Sequence, residues 1–230
     1  MKTVYPWLAA AACALGGASF AAQPIPVAFV ITESANVIDF AGPWEVFQDA
    51  AIPGTEDPGF RLYTVSDKRE PVTLTGGLRV IPDYTFDDAP PPGVIVVGAQ
   101  RGSARMNEWL RVRAAEASTQ VTMSVCTGAF RLAQAGLLDG KRATTHHDFY
   151  DEFEKRYPKV TLERGARYVQ SGPRLYTAGG LTSGIDLALH IVARIYGEDA
   201  ARLTAAYMEY RRSANSEGVQ PTVDLKTRQK

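Results

Sequence analysis

Short apolar runs alternate with amphipathic stretches along most of the chain. Val27–Ile31 (VAFVI), Phe60–Ser66, Val94–Val97 (VIVV), Val121–Val125 (VTMSV) and Leu175–Thr177 read as strands, the shortest of them as buried ones. Helical spacing falls between them. Gly42-Pro43 predicts a helix over Trp44–Ala51, with proline at an early helical position. Arg101–Ala117 contains a helix carrying Met106, Trp109, Leu110 and Arg113. After Cys126 a helix opens at Thr127 or Gly128 and places Ala129, Leu132, Ala133 and Ala135 on one stripe. His147–Tyr157 is a helix stopped by Pro158. Ser183, with Asp186 three residues on, caps a helix to about Tyr196, and Asp199 caps a last one to about Tyr210. Val72–Leu74 and Leu78–Ile81 form a hairpin around Gly76-Gly77, and the acidic, proline-rich Asp83–Gly93 is a surface loop. Ala143–Thr145, Thr161–Glu163 and Arg167–Val169 are short strands, and Ser171–Arg174 is a turn. Strands alternating with helices predict one α/β domain, a mostly parallel sheet with helices on both faces.

Composition sharpens this only a little. The 230 residues are 45% hydrophobic and 22% charged with a net charge of +0, an ordinary soluble balance without a basic face for nucleic acid. The first residues stand apart. Lys2, the small apolar Leu8–Gly17 and Ser19-Phe20-Ala21 match a signal peptide cleaved after Ala21, so residues 1–21 are assigned to targeting. A lipoprotein signal ending at Ala10-Ala11-Ala12-Cys13 is the rival reading. The apolar run is too short to span a bilayer comfortably, so no stable membrane insertion follows signal removal. Cleavage leaves a periplasmic or secreted protein with Cys126 as its single cysteine and no internal disulfide. The domain runs from 22 to 210, and the polar tail, 211–230, is expected to be disordered.

The candidate chemistry centres on Gln120–Gly136. Cys126 stands at a strand-to-helix turn, the arrangement of a nucleophile elbow with Cys in place of Ser. Backbone N–H groups at a helix start favour a thiolate, so a low pKa is expected; a buried structural cysteine is the alternative. Open parallel sheets gather functional residues at the carboxyl ends of their strands. Asp39, Gly98, Cys126 and Gly179 all follow strands. Asp39 is then either a helix cap ahead of Gly42 or a carboxyl facing the cysteine, kept neutral beside a thiolate. Gly128 leaves room for a substrate or a strained backbone, and His146 borders the pocket. His146 and His147, on a strand, point opposite ways and cannot easily share an ion, so no metal site is expected. Gly76-Gly77 and Gly179-Gly180 lack the Lys-Ser/Thr of a phosphate loop.

Three segments, VIDFAGPWEVF, MSVCTGAFRLAQAGLLDGKRATTHH and YTAGGLTSGIDLALHIVA, resemble the ThiJ/PfpI superfamily, of class I glutamine amidotransferase-like fold. Within it they are most similar to the isonitrile hydratase branch, which also supplies the ligand-binding half of AraC-type regulators. The resemblance implies a flavodoxin-like three-layer sandwich, a homodimer, no cofactor, Cys126 as nucleophile, Asp39 as its acid partner and Thr127 shaping the pocket. Thr127 stands where other branches carry His, which disfavours peptidase and deglycase chemistry. Hydratases usually have a Pro-Gly-Gly turn after the fourth strand, where this chain has Val97-Gly98-Ala99-Gln100, and Trp where it has His147. Gly98 would supply anion-stabilising backbone. The chain stops before a helix-turn-helix domain could fit, so no nucleic-acid partner is expected. The implied activity is an exported cysteine-dependent hydratase acting on a small electrophile. The alternatives are a non-catalytic small-molecule-binding protein and a thiol redox-responsive one. The export reading predicts that N-terminal sequencing of protein from the periplasm starts near Ala22; intact Met1 in soluble cytoplasmic protein overturns it.

Overall fold

The computed structural model describes residues 23–56 and 58–212, so the signal-peptide reading and nearly all of the tail lie outside the described residues. The chain enters through β1 (Ile25–Val30), turns into α1 (Val37–Gln48) and returns as β2 (Phe60–Ser66). An antiparallel pair, β3 (Val72–Thr73) and β4 (Arg79–Val80), precedes a short β5 (Tyr84–Thr85). Then come β6 (Val94–Val97), α2 (Ala104–Ala115), β7 (Val121–Ser124) and α3 (Gly128–Gln134). A small parallel pair, β8 (Arg142–Ala143) and β9 (Thr161–Leu162), brackets α4 (Tyr150–Arg156). The hairpin β10 (Tyr168–Gly172) and β11 (Leu175–Ala178) leads to α5 (Ser183–Tyr196) and α6 (Glu198–Tyr207).

Seven strands form the main sheet in the order β10-β11-β7-β6-β1-β2-β5, parallel except for β10. Strand alternation sends neighbouring residues to opposite layers. Val27, Phe29, Val94, Val96 and Met123 pack with Phe47, Leu187 and Ile191 of α1 and α5, while Ala28, Val30, Ile95 and Val97 pack with Met106, Leu110, Phe130 and Phe153 of α2, α3 and α4. This is the three-layer α/β sandwich expected from the sequence. Among the described residues, no helix is long and apolar enough to cross a membrane.

Several boundaries differ from expectation, each for a local reason. Helix α1 begins at Val37, not after Gly42, so Asp39 lies in its first turn and is not ahead of it. Pro43 sits inside the helix, where it removes one intrahelical N–H; its buried ring meets Gly184 of α5, close enough that a Cβ there would lie 3.2 Å from Pro43 Cγ. The 83–93 loop contains β5, because Thr64 bonds Asp83 Oδ2 through both its N–H and hydroxyl, each at 2.8 Å. His146 is not a strand residue. It caps a short 3-10 turn, His147–Phe149, that runs into α4. Thr182, not Ser183, is the residue before α5. Helix α6 ends at Tyr207.

One contact ties two layers directly under the elbow. A Cβ on Gly128 would lie 2.1 Å from the Val97 carbonyl oxygen, so β6 and the start of α3 meet backbone to backbone. Gly128→Ala is therefore expected to destabilise the fold by about 3 kcal/mol, the upper end of overpacking costs. A thermal melt should show its midpoint lowered by roughly 6–12 °C; an unchanged midpoint would contradict the close approach.

Candidate active site

Cys126 follows β7 in a left-handed backbone conformation, φ 57°, which is uncommon for a residue with a side chain. Three bonds hold it there. Its N–H donates to the Gly179 carbonyl at 2.7 Å, its carbonyl accepts the Thr145 hydroxyl at 2.9 Å, and Val125 N–H donates to the Val97 carbonyl at 2.9 Å. The elbow is thus fixed from β11, from the segment after β8 and from β6. The Cys126 side is 6% exposed, and its sulfur accepts the backbone N–H groups of Thr127 and Leu181.

Asp39 reaches the same place from α1 and is fully buried. Its Oδ2 accepts Ala99 N–H at 2.9 Å, and the Cys126 thiol lies close enough to interact with its carboxyl. Oδ1 finds no hydrogen-bond partner. Gly98 packs on this residue, since a Cβ there would lie 2.7 Å from Asp39 Cβ. The turn is pinned by Gln100, whose amide oxygen accepts Thr32 N–H at 2.7 Å and whose amide nitrogen donates to the Val30 carbonyl at 2.9 Å.

Burial dominates the proton balance. It pushes Asp39 up to about 6, against the opposing Ala99 bond. It pushes Cys126 up to about 12, with the Asp39 charge adding to the rise and the two N–H donors only partly offsetting it. The low-pKa thiolate expected from sequence is therefore corrected: desolvation outweighs the backbone donors. Burial raises Asp39 in the direction expected of a neutral acid, but it raises Cys126 further, so near neutral pH the proton rests on sulfur and the carboxyl carries the charge, the reverse of the expected neutral Asp39 beside a thiolate.

The other expected residues fall around this pair. Thr127 precedes α3 and offers its N–H rather than its side chain. The missing Cβ of Gly128 is filled by Val97, not by open space. His146 packs its ring on Gly180, accepts Asp148 N–H at Nδ1 (3.2 Å) and is held neutral by burial, which leaves the proton on Nε2. His146, His147 and Asp148 bring possible ligand atoms within 4.8 Å of one another. The reason given for excluding a shared ion fails, since the two rings stack at 4.3 Å on one side. Two contributors were missed from sequence: the Ala99 N–H on Asp39, and Leu181, whose left-handed φ of 48° presents its N–H to the sulfur. The Gly179-Gly180 pair just before Leu181 is the available signal: Gly179 follows a strand and falls at the same sheet edge as Cys126.

The DJ-1/PfpI family model matches residues 26–194. The chain belongs to this family. It is 34% identical over 193 residues to isonitrile hydratase of Pseudomonas putida, covering 81% of this chain and 78% of that one. It is 26% identical over 200 residues to the HTH-type transcriptional regulator GbdR of Pseudomonas aeruginosa, covering 85% of this chain but only 53% of the regulator. Among solved structures, a ThiJ/PfpI family protein from Pseudomonas syringae superposes with TM-score 0.67 at 25% identity, covering 84% of this chain and 78% of that one. An AraC family transcriptional regulator from Pseudomonas putida superposes with TM-score 0.69 at 19% identity, covering 80% and 100%, and shares the fold. The family thus includes both enzymes and regulators, and this DJ-1/PfpI protein resembles both.

The raised Asp39 pKa has a stability consequence. A carboxyl whose folded pKa lies above its unfolded value stabilises the fold below the unfolded pKa and loses that contribution as pH rises through the folded one. For Asp39 the window runs from 3.8 to about 6. Above it, keeping the charge buried costs about 3 kcal/mol. Asp39→Asn is therefore expected to be more stable than the native protein near neutral pH, by up to that amount, with the advantage vanishing below about pH 4. Urea denaturation at both pH values checks this; an equal difference at both would remove the buried charge as its cause.

Proposed function

We propose that this DJ-1/PfpI protein is a cysteine-dependent hydratase similar to isonitrile hydratase, acting on an isonitrile or a related small electrophile. The observation that carries the reading is the buried Asp39 carboxyl set against the Cys126 thiol, with the Thr127 and Leu181 N–H groups at the sulfur. An ionised Asp39 takes the thiol proton as sulfur attacks the terminal isonitrile carbon. The carboxyl then delivers that proton to the same carbon, giving a thioimidate. Thr127 and Leu181 N–H groups steady the sulfur while it carries charge. Asp39, ionised again, takes a proton from the attacking water, and the tetrahedral adduct forms. Collapse breaks the carbon–sulfur bond, with nitrogen and sulfur each ending protonated. One isonitrile and one water become one N-substituted formamide, and the cysteine is restored.

A second reading is favoured by the thiol itself. A cysteine pushed up to about 12 is a poor free nucleophile, which fits a non-catalytic small-molecule-binding role. It also counts against the redox-responsive reading, which needs an accessible thiolate. We further propose a homodimer, as the family resemblance implied, and export to the periplasm.

The test is turnover of purified protein on a panel of isonitriles, glyoxals and small amides. Formamide release from an isonitrile is expected, absent in Cys126→Ala and slowed roughly 10²–10⁴-fold in Asp39→Asn, the loss typical of a missing acid-base group. Because the ionised form of Asp39 starts the reaction, kcat/KM should rise with pH through about 6. Binding of isonitriles without turnover would select the non-catalytic reading. Full turnover in Asp39→Asn would remove the carboxyl from the mechanism.

A further inference from the structure

The loop that carries Leu181 packs on the His146 ring through Gly180 but leaves the Leu181 side chain itself largely at the surface. Leu181 is left-handed at φ 48°, and it is 41% exposed. A strained residue with an exposed side chain persists only where its surroundings fix it. Those surroundings are supplied from outside the reacting pair. The Arg167 carbonyl accepts Gly179 N–H at 3.0 Å, and Gly179 in turn accepts Cys126 N–H. The Arg167 guanidinium then reaches past the loop. Its Nε pairs with Asp186 on α5, and its Nη2 donates to the Thr182 hydroxyl at 3.0 Å and to the Tyr210 hydroxyl at 3.4 Å. The pair is almost withdrawn from water, with side chains 13% and 2% exposed. Main chain and side chain of one residue thus grip both ends of the four-residue segment Gly179–Thr182.

Resting on the reading of Cys126 as the nucleophile, we infer that Arg167 and Asp186 are positioning residues. They lock the Gly179–Thr182 segment so that the Leu181 N–H points at the Cys126 sulfur. A buried ion pair is a poor source of net stability, because desolvation consumes most of its attraction. Here its guanidinium ends on the Thr182 side chain of the segment that serves the sulfur, a placement a purely structural tie would not need. Neither residue touches the reacting atoms. Their effect passes through the segment's two contacts with Cys126, the Leu181 donor at the sulfur and the Gly179 carbonyl on Cys126 N–H. The titratable group facing the sulfur is Asp39 from α1; Tyr210 faces Arg167 and Asp186, and the neutral His146 ring lies against Gly180.

The experiment reads Cys126 directly and needs no turnover. Alkylation of Cys126 by iodoacetamide is followed against pH by mass spectrometry of its peptide, in the native protein and in Arg167→Gln/Asp186→Asn, which removes both charges together. Loss of the Leu181 donor should slow alkylation about tenfold at each pH below the thiol's midpoint. Tyr210→Phe should slow it by less. A folded double variant with an unchanged profile overturns the inference and leaves the pair a structural tie. If the double variant does not fold, Arg167→Lys decides. Lysine keeps a partner for Asp186 but lacks the fork that spans to Thr182. A native profile in that variant also overturns the inference, and a shifted one supports it. Should the native protein hydrate no isonitrile while these profiles still shift, the functional reading falls and the positioning role stands.

Discussion

The left-handed turn at Cys126 is the constraint that the surrounding structure satisfies. A non-glycine residue in this region costs roughly 1–3 kcal/mol, and the conformation lasts only because several elements over-determine it. Gly179 takes the N–H, Thr145 caps the carbonyl, and Gly128 lets α3 press against Val97. Each of these contacts comes from a different segment of the chain. The parallel sheet is what makes that possible. With β6, β7 and β11 side by side, their carboxyl ends open at one edge, and every loop leaving them can touch the same residue. The fold's order of strands thus builds the strained elbow and places Asp39 against it.

What the elbow gains is a charge kept away from water. A carboxyl and a thiol within hydrogen-bonding reach, both buried, cannot each ionise near neutral pH. The pair therefore keeps a single proton near neutral pH, resting on sulfur while the carboxyl carries the charge. This arrangement works against stability, since the ionised Asp39 is a buried charge with one carboxyl oxygen lacking any N–H or O–H donor. A hydrophobic or amide residue would suit the core better. Under the proposed hydration, this costly group sits where it can exchange a proton with the nucleophile.

The sheet and its helices were legible because β-branched runs such as VIVV and VTMSV are too short for helices and too apolar for loops. Cys126 and Asp39 could be placed at one edge by the same reasoning. What failed were inferences from a local rule that a tertiary contact overrode. Pro43 was read as a helix start, but its buried place against Gly184 keeps it inside α1. Asp83–Gly93 was read as surface loop from its prolines and charges, yet Asp83 bonds Thr64 and draws β5 into the sheet. The low thiol pKa followed from backbone donors at a helix start. Burial, which no local window reports, reverses its sign. Leu181 was invisible for a different reason: nothing in a leucine signals a left-handed backbone.

The turn after β6 differs from the Pro-Gly-Gly that the sequence resemblance implies, and it is held in another way. The hydratase-like Pro-Gly-Gly turn would stiffen the backbone through proline, and this chain has Val97-Gly98-Ala99-Gln100 there. Gln100 supplies stiffness by another route. Its amide bridges Thr32 and the Val30 carbonyl at the end of β1, tying the turn to the neighbouring strand. Gly98 remains, and must, because a Cβ at that position would collide with Asp39. Ala99 is then oriented with its N–H on Asp39 Oδ2. That bond favours the ionised carboxyl and opposes the burial that raises its pKa. Without it, Asp39 would stay protonated to higher pH. In the proposed hydration the Ala99 donor is thus what helps the buried acid serve as a base.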